Sequence, residues 1–113
     1  MGRLNIRIDL DPGGRIGPGK IALLEHIDAA GSISAGAREL NMSYKRAWDL
    51  VEELNILFAA PVVETRTGGK RGGGAQLTSI GQMIVQRFRA LEAAAQSAAN
   101  EHIRAIQAEL AVN

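Results

Sequence analysis

The chain contains no cysteine, so disulfide bonds, thiolate zinc sites and cysteine-based redox sensing are all excluded. It has only two histidines, His26 and His102, far apart and outside any metal-binding pattern, and both read as helix-surface residues. No uninterrupted apolar run approaches the ~18 residues that suggest a membrane span, and the N-terminus alternates instead of forming the apolar block of a signal peptide. A soluble, cytoplasmic protein without membrane contact is the default expectation. Charge of one sign is also missing: 13 basic and 12 acidic residues leave a formal net charge of +1. A large basic excess, the usual mark of a nucleic-acid binder, is therefore absent, and only its local distribution can still point that way.

What remains is 113 residues, 46% of them hydrophobic, enough for one compact core. Leu4, Ile6, Ile8 and Leu10 alternate with Asn5, Arg7 and Asp9, the period of two that places four apolar side chains on one face of a strand. Asp11, Pro12, Gly13 and Gly14 break it, and Gly17-Pro18 introduces a helix with Ile21, Leu24 and Ile27 on one side, supported by Leu23. Gly31 stops that helix and Ser32 is placed to cap the next, from about Ile33 to Leu40. Asn41-Met42 makes a turn, Ser43 caps again, and a third helix carries Ala47, Leu50, Val51 and Leu54 at helical spacing until Pro61 forbids continuation. Gly36 and Ala37 are small enough for the close crossing of the second and third helices, and Met42 would plug the turn between them. This is the pattern of a helix-turn-helix.

Val62 to Arg66 and Ala75 to Leu77 read as brief strands around a tip, Thr67 to Gly74, that includes five glycines. From Thr78 or Ser79, where Ser79 and Gln82 fit a capping box, a periodic pattern runs without proline to about Leu110. A helix of that length measures about 45 Å, against a preceding domain only about 30 Å across. Its apolar residues, among them Ile80, Ile84, Phe88, Leu91, Ala95, Ala98, Ile103, Ile106 and Leu110, need a partner, and a second copy of the chain supplies one by two-fold pairing. The competing reading is a solvated, fraying helix from Ala93 onward. The expected architecture is thus mainly α with small β: residues 1–78 a winged helix-turn-helix with an N-terminal strand, and residues 79–113 a long dimerisation helix. Leu4, Ile6, Ile8, Ile84, Phe88 and Leu91 are the expected interface.

With the apolar stripe turned inward, the first turn of the third helix projects Ser43, Tyr44, Lys45 and Arg46 outward. A helix N-terminus favours an anion, lysine and arginine can donate to guanine O6 and N7, and tyrosine can touch a phosphate or a thymine methyl. Ser34, Arg66, Thr67, Lys70 and Arg71 are placed for backbone phosphates, the wing combining backbone freedom with cationic side chains and exposed N–H groups. Trp48 lies one position off the inner stripe and is expected to pack over the base of the wing. Double-stranded DNA is the expected partner, no cofactor is called for, and no catalytic arrangement is legible.

Two loops imitate other sites. Gly14 to Ile21 nearly spells a phosphate-binding loop that follows a strand and opens a helix, but Ile21 stands where the magnesium-binding hydroxyl belongs. Asp9-x-Asp11 begins like a calcium loop, yet Gly13 occupies its third ligand position.

GKIALLEHIDAAGSISAGARELNMSYKRAWDLVEELN and TGGKRGGGAQLTSIGQ resemble the N-terminal DNA-binding domain of the molybdenum-dependent, ModE-type transcriptional regulators, a winged helix-turn-helix related to LysR-type domains. The resemblance runs from Leu4 onward. It is most specific at Ser43, Tyr44, Lys45, Ala47 and Trp48 and across Thr67 to Thr78, with Arg71 standing where the pattern has glycine. It implies a homodimeric regulator on palindromic promoter DNA, the N-terminal strand and long final helix in the dimer interface. Family members continue into modules that bind molybdate, whereas this chain stops near the end of the helix, which implies a stand-alone regulator, a fragment, or a signal received elsewhere. The alternatives from other classes are a dimeric protein-interaction module on a winged-helix fold and, more distantly, a small-oxyanion binder using the Gly13 to Lys20 loop.

Overall fold

A computed structural model of the chain describes residues 2–66 and 73–111. Two short strands, β1 (Ile8–Asp9) and β2 (Arg15–Ile16), form an antiparallel hairpin with Ile8 opposite Ile16. They are followed by α1 (Pro18–Ala30), α2 (Ile33–Glu39), α3 (Tyr44–Leu57), β3 (Val63–Arg66), β4 (Gly74–Leu77) and the long α4 (Ser79–Gln107).

Local chemistry explains most of the boundaries. Pro18 opens α1, where its missing N–H costs nothing, and Gly31 closes it in the left-handed region at φ 81°, donating its N–H to Ile27 at 2.8 Å. The hydroxyls of Ser32 and Ser43 accept from the N–H groups of Ala35 and Arg46, satisfying first-turn donors of α2 and α3. Thr78, and not Ser79, caps α4: its hydroxyl accepts from Gly81 and donates to Pro61, tying the helix start to the end of the α3–β3 connection.

The core gathers Ile21, Leu23, Leu24 and Ile27 of α1, Ile33 and Ala37 of α2, Ala47, Leu50, Val51 and Leu54 of α3, and Val62, Val63, Ala75 and Leu77 around the hairpin. Ile84 and Phe88 of α4 complete it, 8% and 2% exposed. They are consumed by the chain's own core, which leaves little of either for a second copy and corrects their assignment to an interface. The core therefore ends near Phe88 and not at the start of α4. A second correction concerns Gly36. A Cβ there would lie 2.9 Å from the backbone nitrogen of Ile27, so the close crossing is between α1 and α2, whereas the sequence pattern suggested α2 and α3.

The N-terminus differs most from expectation. Only Ile8 and Asp9 of the alternating segment pair as strand, and residues before them run along α4, where the Leu4 N–H donates to Gln96 Oε1 at 3.0 Å and Gly2 abuts Ile103. Leu4 remains 39% exposed, and Ile6 and Ile8 are half-buried. Asn55 organises the other end of the domain, its Oδ1 accepting from Val62 at 2.8 Å and Val63 at 3.2 Å. Asp28 Oδ1 takes the Leu77 N–H at 3.0 Å, and Gly31 O the Ala75 N–H at 2.8 Å, so β4 is bound to the α1 C-terminus. Among the described residues no helix is long and apolar enough to cross a membrane.

Candidate nucleic-acid interface

The 3.6-residue period of α3 sorts its side chains into three directions. Ala47, Leu50, Val51 and Leu54 go inward and are buried. Lys45, Asp49, Glu52 and Ile56 form the outermost stripe, all exposed. Tyr44 and Trp48 flank it on the side of the hairpin β3–β4, and Arg46 and Glu53 flank it on the side of α1.

The cationic side chains of α3 are therefore confined to its first turn. Tyr44 is 55% exposed and meets Trp48 edge to face, ring centroids 6.1 Å apart and planes at 74°. Lys45 Nζ lies 3.2 Å from Asp49 Oδ2 in an open i,i+4 pair, worth only a few tenths of a kcal/mol and readily exchanged for another acceptor. Arg46 is exposed, its backbone N–H held by the Ser43 cap. Beyond this turn Asp49, Glu52 and Glu53 make the helix acidic, so a polyanion can approach the tip but not the shaft.

A cleft of about 590 Å³ lies between the starts of α2 and α3 and the base of the hairpin. Ser34, Arg38, Tyr44, Trp48 and Arg66 are among the side chains that line it. Three of the five were singled out as DNA contacts from sequence. Arg38 was missed, although its spacing of four from Ser34 places it on the same exposed face of α2. Trp48 is half-buried, closing the floor of the cleft beside the hairpin as expected. Arg66 is oriented across β3–β4, its Nη2 donating to Gln76 Oε1 at 3.4 Å while Gln76 Nε2 donates to Glu64 Oε1 at 2.7 Å. Thr67, Lys70 and Arg71 lie outside the described residues. Ser43 is exposed at the head of α3, its hydroxyl accepting from the Arg46 N–H as the helix cap.

No charged or polar side chain is buried among the described residues, so none of this apparatus depends on an interior ion pair. Away from the cleft, Arg89 of α4 grips Glu25 of α1 through two hydrogen bonds of 2.6 and 3.1 Å and Glu92 through one of 2.6 Å. The Arg89 guanidinium holds the Glu25 carboxyl below its ordinary range, and both carboxylates push the arginine further up. His26 Nδ1 sits 2.7 Å from Glu39 Oε1, joining α1 to α2 at the surface.

The sequence is 52% identical over 81 residues to the molybdenum-pterin-binding protein MopB of Rhodobacter capsulatus, a match covering 72% of this chain and 30% of that protein. It is 51% identical over 71 residues to the DNA-binding transcriptional dual regulator ModE of Escherichia coli K12, covering 63% and 27%. With the molybdenum transport protein ModE of Azotobacter vinelandii it shares 44% over 91 residues, covering 80% and 34%. The chain thus spans about a third or less of the length of these relatives. No family model matches it. Among solved structures, the DNA-binding domain in the crystal structure of the CbnR_DBD–DNA complex superposes with a TM-score of 0.57 at 22% identity, covering 77% of this chain and 95% of that one. The fold is accordingly a winged helix-turn-helix with a long C-terminal helix, and the similarity to ModE-type regulators extends over most of the chain.

Proposed function

We propose that the chain is the DNA-reading module of a ModE-type transcriptional regulator, and that it works as a homodimer on palindromic operator duplex. The observation that carries this reading is the tip of α3, where Tyr44, Lys45 and Arg46 stand exposed on a helix whose other exposed charges are all acidic. Relatives about half identical over this region include a protein named as a DNA-binding transcriptional dual regulator.

In the proposed complex the α3 tip enters the major groove end-on. Lys45 or Arg46 donates to guanine O6 and N7, and Tyr44 packs against a thymine methyl or a phosphate. Ser34, Arg38 and Arg66 hold the sugar–phosphate backbone in the wing-side cleft, joined by Thr67, Lys70 and Arg71 of the wing tip. Ser43 contributes by fixing the helix start. The second copy docks along α4, where Met83, Leu91 and Ile106 are 49%, 41% and 70% exposed, with Leu110 just past its end 57% exposed. Two tips related by that axis meet half-sites about 34 Å apart, one duplex turn, or a multiple of it. Catalysis and a cofactor have no part in this reading.

Selection of bound oligonucleotides from a random duplex pool tests it: inverted repeats with a fixed spacing are expected. If the dimer neutralises roughly 6–10 phosphates, affinity falls by about 10³–10⁵ between 50 and 200 mM salt. Failure to capture duplex at low salt sinks the proposal. Ile56, 83% exposed beside Leu57 and Phe58, favours a second reading in which the domain docks a protein, and that outcome would follow a blank gel shift.

A further inference from the structure

The flank of α3 turned away from the wing is also cationic. An open groove of about 690 Å³ runs between the N-terminal hairpin, the start of α1 and the first turns of α3. Arg7, Arg15, Lys20 and Arg46 line it, and Glu53 is the only carboxylate among the lining residues. The four cations come from four different places in the sequence and are assembled by the fold: Arg15 from β2, Lys20 from α1, Arg46 from α3, and Arg7 from the segment leading into β1.

Their orientations are set by neighbours. Lys20 Nζ donates to Arg15 O at 2.9 Å and lies 3.8 Å from Glu53 Oε2, which anchors it at the side of the groove and partly neutralises Glu53. Arg7 pairs with Asp9 at 3.2 Å, both largely exposed. Among the described residues, no carboxylate lies in ion-pair range of Arg15 or Arg46. Gly17 and Gly19 bring bare backbone to the groove wall, with open space where a Cβ at Gly19 would stand, and the first turn of α1 carries no acid. These are the residues whose spelling imitates a nucleotide-binding loop. In the fold they form no closed loop around a phosphate, but a trough open along its length.

Arg46 belongs both to this trough and to the α3 tip, so the two surfaces are continuous. A helix inserted in a major groove has a sugar–phosphate strand on each side of it. The wing-side cleft faces one of these strands. We propose that the trough lined by Arg7, Arg15, Lys20 and Arg46 takes the other, so that each protomer grips duplex backbone on both flanks of α3; this rests on the DNA-binding reading above and adds a second set of contacts to it. The contacts are to phosphates, and they carry register and affinity but no sequence information.

Duplex binding by the full chain, read by fluorescence anisotropy between about 50 and 200 mM salt, tests the inference with a selected operator and with random duplex. Arg15→Ala is expected to weaken both duplexes by the same factor, about three- to tenfold, and to flatten the slope of log affinity against log salt by about 0.9 for each phosphate left without its cation. Arg15→Lys should restore the slope. Glu53→Gln, which removes the one negative charge from the trough, should strengthen both duplexes. If the parent binds and neither Arg15→Ala nor Glu53→Gln changes affinity or slope, the trough does not touch DNA, while the α3 reading stands. A parent that binds no duplex overturns both. Inorganic phosphate or ATP that raises the melting temperature of the parent but not of Arg15→Ala, with duplex affinity unaltered, reassigns the trough to a small anion. Should Arg15→Ala melt well below the parent, the opposite-signed effect of Glu53→Gln decides alone.

Discussion

Gly36 leaves no room for a methyl group, since a Cβ would stand 3.0 Å or less from the backbone of Ile27 in α1. Gly36→Ala should therefore cost about 1–3 kcal/mol despite alanine's better helix propensity, lowering the melting temperature by about 4–8 °C per kcal/mol in calorimetry. A variant as stable as the parent would mean that α2 can slide away from α1 freely. Lys45 at the α3 tip and Arg66 at the end of β3 are expected to separate reading from holding. Lys45→Ala should lose discrimination between the operator and a scrambled duplex, while Arg66→Ala weakens both alike. Uniform weakening in both variants would contradict the assignment of Lys45 as a reader. Lys45 was legible in sequence because capping and helical phase fix which way a first-turn side chain points, and Arg66 because it ends the strand run before the glycine-rich tip. Asn55 was not legible, because a lone asparagine near a helix end gives no sign that it will bind two N–H groups seven and eight residues on.

Among elements, α1 is the hub. It meets α2 through Gly36, β4 through Asp28 and Gly31, and α4 through the Glu25–Arg89 clamp. Glu25 is held below the ordinary carboxylate value by its hydrogen bonds to Arg89, against a smaller upward push from partial burial. A carboxylate with a depressed folded-state pKa stabilises the fold above its unfolded pKa, and that contribution disappears as pH falls through the folded value. The melting-temperature gap between the parent and Glu25→Gln should hence be constant near neutrality and close as the solution is acidified through the carboxylate range. A gap that persists in acid would show that the variant removes packing and not charge. The N-terminal segment shows how element-level inference can fail. Alternation from Leu4 to Leu10 satisfies a strand pattern, but extended chain lying on a helix needs the same one-sided apolarity, and only the hairpin Ile8–Ile16 found a strand partner.

The whole molecule is long for its mass. Its radius of gyration is 17.1 Å and its extents are 57 × 34 × 19 Å, against about 13 Å for a compact domain of this size. The excess is α4, which leaves the core after Phe88, is clamped to α1 through Arg89, and continues to Gln107 alongside the N-terminal segment, whose Leu4 N–H reaches Gln96. Such a projection is what the dimer model needs. Met83→Glu with Leu91→Glu should give monomers by sedimentation velocity and weaken operator binding, because a monomer engages a single half-site. An intact dimer would refute pairing along α4. Charged substitutions at Ile84 or Phe88 should instead unfold the domain, because these side chains lie in its core.

The order of the helices, the caps at Ser32 and Ser43, the turn at Asn41-Met42, the β3–β4 hairpin and the outward tip of α3 were determined by the sequence itself, since each depends on residues within a few positions of one another. Where α4 changes from core to projection, which helix Gly36 faces, and the gathering of Arg7, Arg15, Lys20 and Arg46 along one trough were decided only by the tertiary structure. Those outcomes depend on the meeting of segments far apart in the chain, and no local period or cap carries information about which distant face will arrive.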